Sequence, residues 1–318
     1  MTEGNEETAP TTVSPDQAFS LLGDETRVRI LQALGRADGP LTFTALRNEV
    51  GLRQGGLFNY HLEKLLGHFV EKTEAGYELR YAGRAVVEGI YSGVFTDDPP
   101  VERIEIAYPC RYCEAPIEVE LRPGFIDSYC TECDGVFDGD EATGRADRDR
   151  GRLGGHSIPP AGLDRPAEEA WRASQVWAST EIMRMANGIC PRCSAPVDHE
   201  LDVCAGHDPG ESRCDACGNR YGATYRADCR NCIFTKRGPV GNLFFGDADL
   251  LAFALAHGWN PVDPATRWKP GWTYAEEVLS VDPFEAHFTY TMDGDEIVLA
   301  VDSDLQVETV SCDLPTIS

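Results

Sequence analysis

Lysine is nearly missing from this 318-residue chain: only Lys64, Lys72, Lys236 and Lys269 occur among 28 Lys+Arg residues. No stretch approaches the ~18 apolar residues that a membrane-spanning helix needs, which excludes a helical membrane anchor in this sequence. The opening residues are acidic and Thr-rich, without the positive and apolar regions of a secretion signal, so a soluble, cytoplasmic protein is expected. No glycine-rich phosphate loop and no nucleophile constellation is present, and no acid/base pair stands out. An enzyme is therefore not expected, and no residue is assigned a catalytic role. Residues 15–95 also contain no cysteine.

Acid is what the chain has in excess: 53 Asp+Glu give a formal net charge of −25. Carboxylates repel phosphate, which on its face argues against nucleic acid. Distribution and salt both weaken that objection. Residues 15–95 carry nine Lys+Arg against ten Asp+Glu and are near neutral. An acid-rich, lysine-poor surface is of the kind found in a high-salt (halophilic) cytoplasm, where the Debye length falls to ~3 Å and long-range repulsion is screened.

Within 15–95 the apolar spacing predicts helices in series. Ser14-Pro15 supplies an N-cap and a first-turn proline. Phe19 and Leu22, then Val28, Ile30, Leu31 and Leu34, outline two helices broken near Gly23-Asp24. Thr42 can cap a third, with Leu46 and Val50 inward, ending at Gly51. The helix over 54–66 has Leu57, Phe58, Leu62, Leu65 and Leu66 as its apolar stripe, with Asn59, Tyr60, Glu63 and Lys64 opposite. His61 is expected to pack rather than to read bases. A hairpin, Phe69–Thr73 and Tyr77–Tyr81, turns at Glu74-Ala75-Gly76, and a final helix runs from Arg84 to Tyr91.

Helix, helix, turn, helix, hairpin, helix is the winged helix-turn-helix order. The run Phe58-Asn59-Tyr60-His61-Leu62-Glu63-Lys64-Leu65 resembles the recognition helix of ArsR-type regulators, and Ala18–Leu34 resembles their first two helices. The whole block resembles the haloarchaeal branch of that family. The resemblance implies a homodimer, paired through first and last helices, on double-stranded DNA. Contacts would come from Gln54, Gly55, Asn59, Tyr60 and Lys64 on the helix and Lys72 and Arg80 on the wing. Gln54-Gly55-Gly56 replaces the usual capping residue. Its bare N–H groups suit a phosphate, while each glycine loosens the helix by ~1 kcal/mol. Metal sensing at the family's positions is not expected, because the block lacks cysteine and its last helix offers only Glu88.

Ten of the twelve cysteines sit in five Cys-x2-Cys pairs, a metal-site pattern rather than a disulfide framework. Cys110, Cys113, Cys130 and Cys133 flank a hairpin with a turn at Arg122-Pro123-Gly124, a strong zinc-ribbon signal. In the second cluster, pairing Cys190/Cys193 with Cys214/Cys217 fails, because the return strand over 205–211 would be loop. Nested pairing works: Cys190, Cys193, Cys229 and Cys232 at one end, Cys204, His207, Cys214 and Cys217 at the other. Aligning Cys193 with Cys229 sets Val197 opposite Tyr225, Leu201 opposite Tyr221 and Cys204 level with Gly218. The ends then lie roughly 30 Å apart, so three closed, structural zinc sites per chain are expected. Cys312 is left over as a buried thiol.

The remaining segments complete an α+β expectation: winged helix-turn-helix, zinc ribbons, and a small α+β C-terminal domain with a β-meander. The divisions are an acidic disordered tail (1–14), the winged helix (15–95), a zinc ribbon (96–137), a linker (138–165) and a C-terminal domain (166–318). That last domain would hold a two-zinc ribbon (188–234) and a meander (285–311). Helices are predicted at Glu168–Asn187, with Trp171, Ser174, Ala178, Ile182 and Met185 along one side, and at Ala248–His257. The function expected is sequence-specific transcriptional regulation. The alternative is a basal-transcription adaptor, since archaeal TFIIE-alpha-like factors also join a winged helix to a zinc ribbon and contact the transcription machinery.

Overall fold

The computed structural model describes residues 13–98, 100–137, 151–208, 212–268 and 272–313. The chain is mixed α+β, with helices and four small antiparallel sheets. It divides into two compact units, Met1–Asp97 and Asp98–Ser318. The predicted tail over 1–14 falls largely outside the described residues.

In the first unit, capping sets the helix boundaries. Gln17 accepts from the Ser14 amide at the start of α1 (Pro15–Leu22). Asp24 accepts from Thr26 and Arg27 to open α2 (Glu25–Arg36), and Thr42 accepts from Ala45 to open α3 (Phe43–Val50). α4 (Gly55–Leu65) has no side-chain cap, as its Gln-Gly-Gly start implies. β1 (Val70–Lys72) and β2 (Tyr77–Leu79) form the hairpin, and Leu41 bridges to Tyr77 beyond it. α5 (Tyr81–Tyr91) begins three residues before the expected Arg84. There Gly83 lies so close to the Phe69 carbonyl that a Cβ would collide with it.

One core serves all of these elements, built on Ile30, Leu31, Leu46, Phe58, Leu62 and Leu65. The apolar stripe of α4 differs from expectation at Leu57, which is 45% exposed. The buried face follows Phe58, His61, Leu62 and Leu65, the i, i+3, i+4, i+7 set, and Leu57 lies a helical step of ~100° off it. His61 packs as expected, with Nδ1 3.3 Å from Asp24 Oδ1.

In the second unit, β3 (Glu102–Pro109), β4 (Pro116–Arg122), β5 (Phe125–Cys130) and β6 (Gly151–Ser157) form an antiparallel sheet in chain order. A long helix follows, α6 (Ala167–Ala186), with Trp171, Ser174, Ala178, Ile182 and Met185 all buried, the predicted face. Trp171 Nε1 donates to Ser128 Oγ at 3.0 Å, so even its one polar atom is satisfied inside. The strands β7 (Val197–Val203), β8 (Ala223–Cys229) and β9 (Thr235–Pro239) make a second sheet. After α7 (Ala248–Ala256) and the short α8 (Pro264–Arg267) comes a meander: β10 (Trp272–Val281), β11 (Phe284–Met292), β12 (Asp295–Asp302) and β13 (Val307–Cys312).

Four expectations differ from the structure. The linker over 138–165 is not one from 151 onward, since 151–157 is strand β6 (138–150 lie outside the described residues). Glycine hid the strand: at Gly151 a Cβ would collide with the Cys133 carbonyl, so the position excludes the side chains that signal a strand. The separate ribbon and C-terminal domains are also corrected. Ile117 and Val119 of the first sheet share one core with Trp171, Tyr225 and Phe288. Finally, the meander has four strands, gaining β10, and Cys312 on its edge strand is only half-buried because no described strand pairs beyond β13.

Candidate metal centres and nucleic-acid interface

Hairpins carry the cysteines to their stations. β4 and β5 pair in register with Ile117 opposite Cys130, which returns the second Cys-x2-Cys to the first. The second sheet pairs Val197 with Cys229 and Leu201 with Tyr225. That register is four residues away from the expected one, in which Val197 faced Tyr225. The cause is the knuckle: Cys190 N donates to Ala195 O, and Ile189 bridges to Pro196, so the ladder starts only at Val197. A slip by an even number keeps the same side chains on the same face, so the ends still gather the same residues.

Three tetrads result: Cys110, Cys113, Cys130 and Cys133; Cys190, Cys193, Cys229 and Cys232; Cys204, His207, Cys214 and Cys217. Within each, all donor atoms lie within 4.8 Å of one another. Four ligands at zinc–sulfur bond length on a tetrahedron would stand about 3.8 Å apart. The Sγ–Sγ distances fit: 3.7 Å for Cys110–Cys133, 3.4 Å for Cys113–Cys130, 3.7 Å for Cys190–Cys232 and 3.5 Å for Cys193–Cys229. Cys217 Sγ lies 3.6 Å from His207 Nδ1. These separations are far beyond a disulfide bond. Such sets can hold metal ions, and four protein donors each leave no open position.

Three of the five knuckles share one backbone design. The fifth residue, Glu114, Ser194 or Gly218, has φ of 62°, 60° or 70° and donates its amide to the carbonyl of the first cysteine. Amides also point at sulfur: Asn231 and Cys232 donate to Cys229 Sγ at 3.4 and 3.3 Å. Those amides hold Cys229 down to about 6, as a thiolate. Burial pushes Cys130 up to about 11, and the Cys110 thiol together with burial pushes Cys133 up further. Two to four crowded sulfurs cannot all ionise without a cation among them. Reading the sequence for metal ligands missed a repeat that the structure makes plain. Cys110-Arg-Tyr-Cys-Glu-Ala-Pro and Cys190-Pro-Arg-Cys-Ser-Ala-Pro begin two copies of one unit, each a knuckle, two paired strands, a second knuckle and a third strand.

The nested assignment predicts that Cys204→Ser lowers the metal content of purified protein from three ions per chain to two. Elemental analysis checks it. A variant that keeps three ions, or that loses two, breaks the assignment.

Gln54, at the N-cap position of α4, and Tyr60 and Lys64 on the helix are exposed, with Lys64 Nζ 5.6 Å from the Tyr60 ring centroid. Asn59 is half-buried, and its amide donates to Glu63 Oε1 at 2.7 Å. Gly55 is the first helical residue, and the neighbouring α3 brings Arg47 to it: a Cβ on Gly55 would sit 3.4 Å from Arg47 Nη1. Arg47 was missed as a contact candidate, although a cation in the last turn of the helix that precedes a capless helix was a usable signal. On the hairpin Lys72 is exposed, 5.8 Å from the Tyr77 ring centroid, whereas the Arg80 guanidinium donates to the Gly67 carbonyl.

Residues 15–90 match the model of a domain of unknown function, DUF7347, and residues 107–307 match that of a second, DUF7351. No curated protein and no solved structure matches the chain. The first match falls inside the helical unit and the second inside the unit that holds every cysteine tetrad. Since the second match spans more than half of the sequence, the chain belongs to the DUF7351 family.

Proposed function

We propose that the protein is a sequence-specific DNA-binding transcriptional regulator, in which 15–95 is an ArsR-like winged helix-turn-helix and three zinc ions hold up the rest. The observation that carries this is α4. It buries Phe58, His61, Leu62 and Leu65 and turns Gln54, Tyr60 (53% exposed) and Lys64 to solvent. A helix anchored on one face, with an uncapped, cation-flanked N-terminus, suits insertion into the major groove. Phe19 on α1 and Tyr81 and Tyr91 on α5 are exposed aromatics, which supports pairing of two copies through first and last helices. Zinc is the ion favoured by soft donor sets of closed tetrahedral spacing, whether four thiolates or three thiolates and an imidazole.

Binding to a selected operator, measured without polymerase, tests the reading. Tyr60→Ala and Asn59→Ala should each weaken operator binding by ~1–3 kcal/mol and relax sequence preference. The Asn59 effect should be the smaller, because its amide must first leave Glu63. Lys72→Ala should weaken all sequences alike, and Arg80→Ala should do so less, since Arg80 is already engaged. If all four variants bind as the parent does, α4 does not read DNA. Binding that appears only with polymerase present would instead favour the adaptor role.

A further inference from the structure

A cavity of about 190 Å³ opens in the second unit against β10, lined by Arg111, Tyr112, Arg220, Tyr221, Tyr274 and Glu276 among others. Tyr112 shares hydrogen bonds with Arg111 and Tyr221, and Arg220 Nε donates to the Gly135 carbonyl, but two buried polar atoms of the lining lack partners. Tyr274 is buried, yet its hydroxyl has no hydrogen-bond partner. Glu276 Oε2 accepts from the Gly222 and Ala223 amides at 2.8 and 2.9 Å, while the buried Oε1 accepts from nothing. Buried polar atoms without partners are rare in native structures and mark places where a further group belongs.

The walls say which group. Tyr221 and Tyr274 stack with centroids 4.2 Å apart and rings within 11° of parallel. The Arg111 guanidinium lies 4.6 Å from the Trp272 ring centroid and 4.8 Å from that of Tyr112, and Arg220 lies 4.2 Å from the Tyr112 ring. Among the described residues neither arginine has a carboxylate partner, although carboxylates are the commonest charged side chains in the chain. Trp272, Tyr274 and Glu276 alternate along one face of β10, so about 13 Å of strand separates Trp272, under the Arg111 guanidinium, from Glu276. The cavity is thus an aromatic slot with cations at one pole and a free carboxylate oxygen at the other.

We propose that this slot binds a small, single-ring aromatic carboxylate that carries a hydrogen-bond donor opposite the carboxylate. The acid group pairs with Arg111 and Arg220, the ring lies along the Tyr and Trp faces, and the distal donor meets Glu276 Oε1 beside the Tyr274 hydroxyl. Pairing of guanidinium with carboxylate in a partly desolvated site is both strong and directional. The proposal is independent of whether the first unit binds DNA.

Titration calorimetry on the full, metal-loaded chain tests it with four probes: para-hydroxybenzoate, para-aminobenzoate, benzoate and phenol. The two-ended acids should bind one per chain, at least tenfold tighter than either benzoate or phenol. Arg220→Met should weaken the acids tenfold or more and leave phenol unchanged. Glu276→Gln should erase the advantage of para-hydroxybenzoate over benzoate. Tyr274→Phe, which removes only an unpartnered hydroxyl and so leaves the fold intact, should weaken both two-ended acids severalfold. The proposal fails if the acids show no binding up to about 1 mM, the weak end of specific affinity. It also fails if benzoate and phenol bind as tightly as the two-ended acids, or if metal-loaded Tyr274→Phe and Arg220→Met bind them as the parent does.

Discussion

Stripping the metal with a strong chelator should unfold Asp98–Ser318 and leave the N-terminal helical unit standing. Every tetrad lies in the second unit, at the ends of its first two sheets, and the core of the first unit contains no cysteine. Structural zinc sites contribute ~10–16 kcal/mol each, comparable to or larger than the ~5–15 kcal/mol net stability of a whole domain. With the three tetrads empty, crowded sulfurs would remain whose ionisation is opposed, as at Cys130 and Cys133. The protein supplies its own reporter: all five tryptophans, Trp171, Trp177, Trp259, Trp268 and Trp272, lie in the second unit. Their emission should shift to that of solvent-exposed indole on chelation, while the helical far-UV signal of α1 to α5 persists and melts separately. Re-addition of zinc should restore the emission. Unchanged emission with the metal gone would mean that the shared apolar core, with Trp171 and Phe288 at its heart, folds without ions. Loss of the helical signal in step with the emission would mean that the two units are not independently stable.

A second large effect concerns salt. A protein that neutralises six to ten phosphates loses about 10³–10⁵-fold in DNA affinity between about 50 and 200 mM salt, because it releases condensed counterions. The proposed winged helix should lose less than about tenfold over that range, against the same benchmark. Its nine cations are matched by ten carboxylates, and several cations are already occupied: Arg29 pairs with Glu25, Arg27 donates to the Ser20 carbonyl, and Arg80 to that of Gly67. Few remain to displace counterions. The −25 charge of the whole chain adds a repulsive long-range term that KCl screens first. Affinity should therefore be flat or rise toward molar KCl, and the melting temperature should rise along the same series as self-repulsion weakens. A steep fall in affinity with no change in melting would show a concentrated basic surface at the interface and refute the charge argument.

Local chemistry made much of this legible from residues alone. The break at Gly23-Asp24, the start of α3 after Thr42 and its end at Gly51 fall where the residues implied, because caps and left-handed turns are short-range devices. The buried side of α6 followed from spacing, since a 3.6-residue period survives whatever it packs against. The cysteine groupings followed too: Cys-x2-Cys pairs and a parity argument are enough to say which ends meet, even with the ladder four residues out of place.

What the sequence could not disclose depended on contacts between distant segments. β6 opens on glycine because Gly151 passes close under the Cys133 carbonyl, and that constraint comes from a knuckle nearly twenty residues earlier. Joining the ribbons and the meander into one unit required Trp171 to meet Ser128 and Trp268, partners that no window of sequence contains. The aromatic slot likewise draws Arg111 from one knuckle, Arg220 from beyond another and Glu276 from β10. By itself, then, the sequence determined the helices, their caps and the metal tetrads, because propensity and ligand spacing act within a few residues. Tertiary packing alone decided the single core of the second unit, the exposure of Leu57 and the unpaired polar atoms of the slot. Burial and hydrogen-bond satisfaction are properties of neighbours in space, and only the folded chain chooses those.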